Sequence, residues 1–134
     1  MSPFTIRCCK PGSEQLEHAV FILSKGRNTG RPSFIPNPNC FVLTCEDPSD
    51  RENYYWLIYA LWAGGRFHEF LCGSVIEFIH IRDLKKLISL SVSEVKDIQK
   101  VSTTLQQVIQ MELHLQNQLS LISQAKRAVL QKWI

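Results

Sequence analysis

"SVSEVKDIQKVSTTLQQVIQMELHLQNQLSLISQAKRAVLQKWI", residues 91–134, is the stretch on which the fold turns. The last glycine of the chain is Gly73 and the last proline Pro48, so no helix-breaking residue follows. Ser91 and Glu94 have the spacing of a capping box, and the pattern predicts one helix of roughly 40 residues, about 60 Å long at 1.5 Å per residue. Val101, Val108, Leu115, Ile122 and Val129 recur every seven residues, and Ile98, Leu105, Leu119 and Trp133 mark a second seam that Glu112 and Lys126 interrupt. A seven-residue apolar stripe is the pattern of paired helices, and some ninety preceding residues are too few to cover so long a helix. The nine apolar residues of the two seams are therefore the expected dimer interface. A helix folded back along its own domain is the competing reading.

The preceding residues, 1–90, read as a compact mixed α/β (α+β) head, with residues 91–134 as its dimerisation or partner-binding arm. Working backwards, "GSVIEFIHI" (73–81) alternates Val75, Glu77, Ile79 and Ile81 against Ile76, Phe78 and His80, which predicts a strand. "RDLKKL" then reads as a basic turn of helix and "ISL" as a second small strand. Ser49 and Glu52 form another capping-box spacing, predicting a helix from there to Gly64 and Gly65. Tyr54, Tyr55, Trp56, Tyr59 and Trp62 populate more than one face of that helix, which must be buried or pressed on a partner. "NCFVLTCE" (39–46) and "FTIRC" (4–8) read as strands. "PGSEQLEHAVFILSK" (11–25) has Ser13 as an N-cap and Leu16, Ala19, Val20 and Leu23 at helical spacing, so it predicts an amphipathic helix ending near Gly26.

Between that helix and the strand at 39–46 lies "SKGRNTGRPSFIPNPN" (24–39), an irregular loop in which Pro32, Pro36 and Pro38 remove backbone donors. Lys25, Arg27 and Arg31 supply charge, Asn28 and Thr29 supply hydrogen bonds, and the glycines allow backbone amides to approach an anion. The G-x-x-x-x-G-K-[ST] spacing of a nucleotide-binding loop is absent. A phosphate-gripping loop and a plain solvated connection are the two readings.

Charge is uneven although the net value is only +3. Residues 1–36 hold five Lys/Arg against two acids, 37–72 two against five, and 73–134 eight against five. A polyanionic partner would meet the ends. The longest apolar run, at 54–65, is too short to span a bilayer, and the N-terminus has no secretory pattern, so no membrane partner and a cytoplasmic location are expected. Five cysteines, two of them adjacent, make a poor disulfide framework and suit thiols in a reducing compartment.

Catalytic and metal chemistry find little footing. Cys40, Cys45, His68 and Cys72 approach zinc-ligand spacing, but residues five apart on a strand point to opposite faces, so neither metal nor other cofactor is expected. No Ser or Cys sits in a nucleophile elbow, and His18, His68, His80 and His114 are scattered. A non-enzymatic protein is expected.

Read as a block, "YWLIYALWAG", "GSVIEFIHIRDLKKLISLSVSEVKDI" and "LISQAKRAVLQKWI" resemble the latter part of one target-recognition repeat of type I restriction-modification specificity subunits. Gly73, Ser74, Asp83, Leu84, Leu87, Ile88, Leu90, Glu94 and Ile98 carry the likeness. Ser91 and Val92 replace the family's usual prolines, Val95 a frequent glutamine, and only one shortened repeat is present. In that family, paired long helices hold two recognition domains a fixed distance apart, and each domain reads half of a bipartite DNA site. The resemblance implies a half subunit that rebuilds this arrangement as a homodimer. Lys25, Arg27, Asn28 and Arg31, with Arg66 after the double glycine, are then the expected DNA contacts. The alternative is a protein-interaction module using the long helix or Tyr55, Trp56, Tyr59 and Trp62.

Overall fold

The computed structural model describes residues 1–9 and 16–134. Four antiparallel strands form one sheet in the order β1-β4-β2-β3: β1 (Phe4–Cys8), β2 (Ala19–Leu23), β3 (Pro32–Ser33) and β4 (Cys40–Cys45). Phe4 pairs with Cys45, Ala19 with Thr44, and Phe21 with Ser33. Three helices follow, α1 (Arg51–Ala63), α2 (Ile81–Glu94) and α3 (Ile98–Trp133). The class is mixed α+β with a long C-terminal helix, as the sequence predicts.

The largest correction is β2. "AVFIL" is a strand preceded by a short 3-10 turn at Leu16–His18, not part of an amphipathic helix. The N-cap assigned to Ser13 lies outside the described residues. Strands β2 and β4 are central, so both of their faces are buried and both read as nearly unbroken apolar runs. Such a run satisfies i, i+3, i+4 spacing by default, which is why Ala19, Val20 and Leu23 imitate a helix face.

One sheet face presents Ile6, Val20, Ile22, Phe41, Leu43 and Cys45 to Tyr54, Ile58 and Leu61 of α1, Leu84, Leu87 and Ile88 of α2, and the intervening Phe67 and Ile79. The opposite face carries the smaller cluster Ala19, Phe21, Cys40 and Val42. Tyr54 is fully buried, and its hydroxyl donates to the carbonyl of Ser2. Asp50, one turn earlier, accepts from the Ser2 amide at 2.7 Å and from Asn53 at 3.2 Å, and those bonds hold its carboxyl below the usual range. The N-terminal residues are thereby tied to the start of α1.

Burial, reinforced by Asp50 and Cys45, pushes the Tyr54 phenol up to about 12. An unfolded tyrosine ionises near pH 10, so the buried neutral phenol stabilises the head below that pH, and the contribution is lost as pH rises from about 10 to 12. Tyr54→Phe should lower the midpoint of urea unfolding at pH 7 by removing a hydrogen bond worth about 1 kcal/mol. It should also flatten the fall in stability above pH 10, read by near-ultraviolet circular dichroism. Equal alkaline slopes in the two proteins would contradict the buried neutral phenol.

Both predicted capping boxes give way to other caps. Asp47 accepts from the Ser49 amide at 3.0 Å and opens a 3-10 turn at Pro48–Asp50, from which α1 continues. Ser91 is a buried residue inside α2, where its hydroxyl donates to the Leu87 carbonyl at 2.8 Å. The expected "ISL" strand is part of α2, whose buried face is Leu84, Leu87, Ile88 and Ser91. Val95 leaves helical geometry, and Asp97 restarts the chain by accepting from the Lys100 amide at 3.1 Å. The long helix is therefore α3 alone.

The chain divides into two compact units, Met1–Ser102 and Thr103–Ile134. In the second unit Leu105 and Ile109 are half-buried, and every residue from Gln110 onward is exposed.

Candidate nucleic-acid interface

The basic loop has a definite shape, set by its own backbone. Leu23 donates to the Arg31 carbonyl at 3.0 Å, and Gly30 donates back to Leu23 at 2.8 Å, closing a tight connection between β2 and β3. Inside it, Thr29 and Arg31 donate to the carbonyls of Gly26 and Asn28, and the Gly26 amide donates to Glu77 at 2.7 Å. The buried Thr29 hydroxyl bonds to Gly26 at 2.5 Å and to Glu77 at 3.3 Å. The amides of Gly26, Thr29, Gly30 and Arg31 and the Thr29 hydroxyl are thus engaged within the fold. The two glycine amides of the loop are therefore not open to an anion. An anion meeting this loop would be met chiefly by side chains.

Those side chains point outward. Lys25, Arg27, Asn28 and Arg31 are exposed, and so is Arg66. Phe67 explains why Arg66 belongs with them: its buried ring packs directly beneath Gly30, where an added Cβ would stand 2.7 Å from Phe67 Cε2. The five residues singled out in the sequence therefore lie on adjoining segments. Among the described residues, none of the four cations is paired with a carboxylate.

Arg31 also reaches α1, its guanidinium 5.6 Å from the centre of the Trp62 ring. From Trp62 a chain of rings runs through Tyr59 and Tyr55 to Phe34, where Tyr55 stacks at 4.4 Å and 20°. Arg51 closes it at 4.3 Å over Phe34, while its Nε donates to the Ala19 carbonyl at 2.9 Å. Burial, with Tyr59 beside it, pushes the Tyr55 phenol up. Tyr55, Trp56, Tyr59 and Trp62 are half-buried. A groove of about 400 Å³ between the loop and this helix is lined by Asn28, Arg31, Ser33, Phe34, Asn37 and Tyr55, among others.

The expected strand at 73–81 is replaced at residues 72–78 by a short hairpin, with Cys72 and Phe78 exchanging both backbone hydrogen bonds at 2.8 and 3.0 Å. Phe78 also bridges to Lys25, which sets the hairpin beside the basic loop. The missed signal is Gly73, whose positive φ of 96° turns the chain.

None of the five cysteines is in a disulfide. Cys40 and Cys45 lie in the two separate apolar clusters, as five-residue spacing on a strand requires. Cys45 Sγ donates to the carbonyls of His18 and Asp47, each at 3.3 Å, and burial pushes this thiol up. His18 Nδ1 lies 2.9 Å from the Cys45 carbonyl oxygen and not on the sulfur, so the two side chains do not form a thiolate–imidazole pair. Among the described residues no three His, Cys, Asp or Glu side chains gather as metal ligands. No helix among them is long and apolar enough to cross a membrane.

On α3, Ile98, Val101 and Leu105 are half-buried, whereas Val108, Leu115, Leu119, Ile122 and Val129 are half to two-thirds exposed and Trp133 is 84% exposed. The free part of the expected interface thus starts at Val108. Comparison with curated proteins and with solved structures found no match. The model of a family of unknown function, DUF6943, matches residues 6–132, which takes in the sheet except Phe4 and Thr5, α1, α2, α3 as far as Lys132 and the basic loop. The chain belongs to that family.

Proposed function

We propose that this protein is a non-enzymatic DNA-binding module that works as a homodimer through α3. The observation that carries the reading is the gathering of Lys25, Arg27, Arg31 and Arg66 around one tightly closed loop, exposed and, among the described residues, without carboxylate partners. Exposed cations on a rigid frame are the usual means of neutralising phosphates, and Asn28 between them can meet a phosphate or a base edge. The likeness of Gly73 to Ile98 to restriction-modification specificity subunits supports the same reading. An odd count of five cysteines, two of them adjacent, suits a reducing compartment such as the cytoplasm.

Pairing through α3 is supported by its exposed apolar seam and by two charges. Glu112 and Lys126 stand seven residues to either side of Leu119. Antiparallel pairing centred near Leu119 brings Glu112 of one copy towards Lys126 of the other, while parallel pairing in register sets like charges together. The antiparallel arrangement is the one we expect.

Quantitative binding to a random duplex across salt concentrations tests the DNA role. Lys25→Ala, Arg27→Ala, Arg31→Ala and Arg66→Ala combined should lower affinity by at least about a hundredfold near 50 mM salt and reduce the slope of log K against log salt by up to about 3 to 4. An unchanged slope would remove this surface from the site. The second reading, a protein-interaction module, is favoured by the exposed seam of α3; apolar pairing with a foreign helix would be nearly indifferent to salt.

A further inference from the structure

The hairpin 72–78 carries its two most exposed apolar side chains at its tip. Val75 is 92% exposed and Ile76 60%, on a loop that the fold holds firmly. Cys72 and Phe78 close its base, Glu77 and Ile79 are tied by backbone hydrogen bonds to Gly26 and Ser24, and the Phe78 ring meets His80 edge-on at 5.2 Å. Gly73 lies so close to the Ile76 carbonyl that any Cβ there would overlap the oxygen. Nothing in the head's own core explains the outward position of this pair, because the buried member of the segment is Ile79.

The tip is also placed next to charge. Lys25 bridges to Phe78 and Gly26 donates to Glu77, so the Lys25 and Arg27 side chains leave the backbone beside the base of the hairpin. A hairpin closed at its base that ends in a β-branched pair, with Lys25 and Arg27 beside it and one exposed carboxylate, Glu77, has the parts of a DNA wedge whose two cations outweigh the single acid. Such wedges push apolar side chains between two base pairs while neighbouring cations hold the phosphates of the widened step. Two apolar residues followed by the exposed Glu77 are a poor bilayer anchor, since insertion needs a larger apolar face.

We infer that Val75 and Ile76 form a wedge that enters a base step of duplex DNA and kinks it, with Lys25 and Arg27 on the adjoining phosphates. The inference rests on the DNA-binding reading above and adds a mode of engagement to it. Pyrimidine–purine steps, which unstack most readily, are the preferred point of entry.

The test uses the full chain with a duplex carrying 2-aminopurine at a TA step and a dye at each end. Wild type should raise 2-aminopurine fluorescence several-fold and shorten the end-to-end distance by a bend of about 20–90°. The exposed double variant Val75→Ser/Ile76→Ser should keep the salt slope of binding but lose the fluorescence rise and the bend, with roughly tenfold weaker affinity. Wild type bound with no fluorescence change, or a double variant that signals as wild type does, overturns the wedge and leaves the DNA reading standing. Wild type that fails to bind the duplex near 50 mM salt overturns both. Binding to phosphatidylserine–phosphatidylcholine vesicles that the double variant loses, with no unstacking of DNA, would reassign the tip to a membrane surface and overturn the inference.

Discussion

Replacing Gly30 by valine is expected to destabilise the head by about 3 kcal/mol or more, read as a fall in the urea midpoint. Two penalties add at this position. The backbone has φ of 95°, a conformation that L side chains rarely adopt. A Cβ would overlap Phe67, whose ring is only 1% exposed within the main core cluster, so it has little room to move. Gly26 provides the contrast, with a similar φ of 102° but open space, nothing lying within 4 Å of the point a Cβ would occupy. Gly26→Ala should therefore cost only the backbone penalty, about 1–2 kcal/mol. If the two variants unfold at the same urea concentration, Phe67 does not support the loop, and the grouping of Arg66 with Arg27 and Arg31 falls with it.

Leu119→Asp is expected to turn the proposed dimer into a monomer. A leucine that is buried on pairing contributes about 1.5–3 kcal/mol per copy, and in an antiparallel pair centred near Leu119 both copies lose it at neighbouring points while two carboxylates are brought together. The combined loss corresponds to at least about a hundredfold weaker self-association. Asn117→Asp, on the far side of α3 from the seam, should leave the mass unchanged. Orientation is read from the charges. Glu112→Lys and Lys126→Glu should each weaken an antiparallel pair, and the double exchange should restore it. Light scattering across a dilution series separates these outcomes, and a mass that ignores Leu119→Asp would contradict pairing through this seam.

Much of the head was written in patterns that local physics makes readable. Strands β1 and β4 follow from their β-branched and aromatic content, α1 from the Gly64–Gly65 stop, and α3 from seven-residue periodicity in a stretch free of glycine and proline. The sequence misleads where burial on both sides erases the alternation that separates strand from helix, as in "AVFIL" of β2. It also misleads where a capping residue is ambiguous: Ser91 satisfies its hydroxyl inside α2 and hides the continuation of that helix to Glu94. For the candidate site, the identities of the cations were visible but the use of their backbone was not. The amides of Gly26 and Gly30 are engaged by Glu77 and Leu23, partners whose proximity only tertiary structure creates. The hairpin tip was hidden for the same reason, since alternation at 75–81 cannot tell a strand from a turn closed by Gly73.

The central claim, a dimeric module that grips DNA electrostatically, is tested most directly by the light-scattering mass of the full chain, alone and mixed with a random duplex at low and moderate salt. The expected result is twice the chain mass in isolation, the added mass of the duplex near 50 mM salt, and loss of that added mass near 200 mM. A monomer whose mass does not change with DNA at low salt would contradict it.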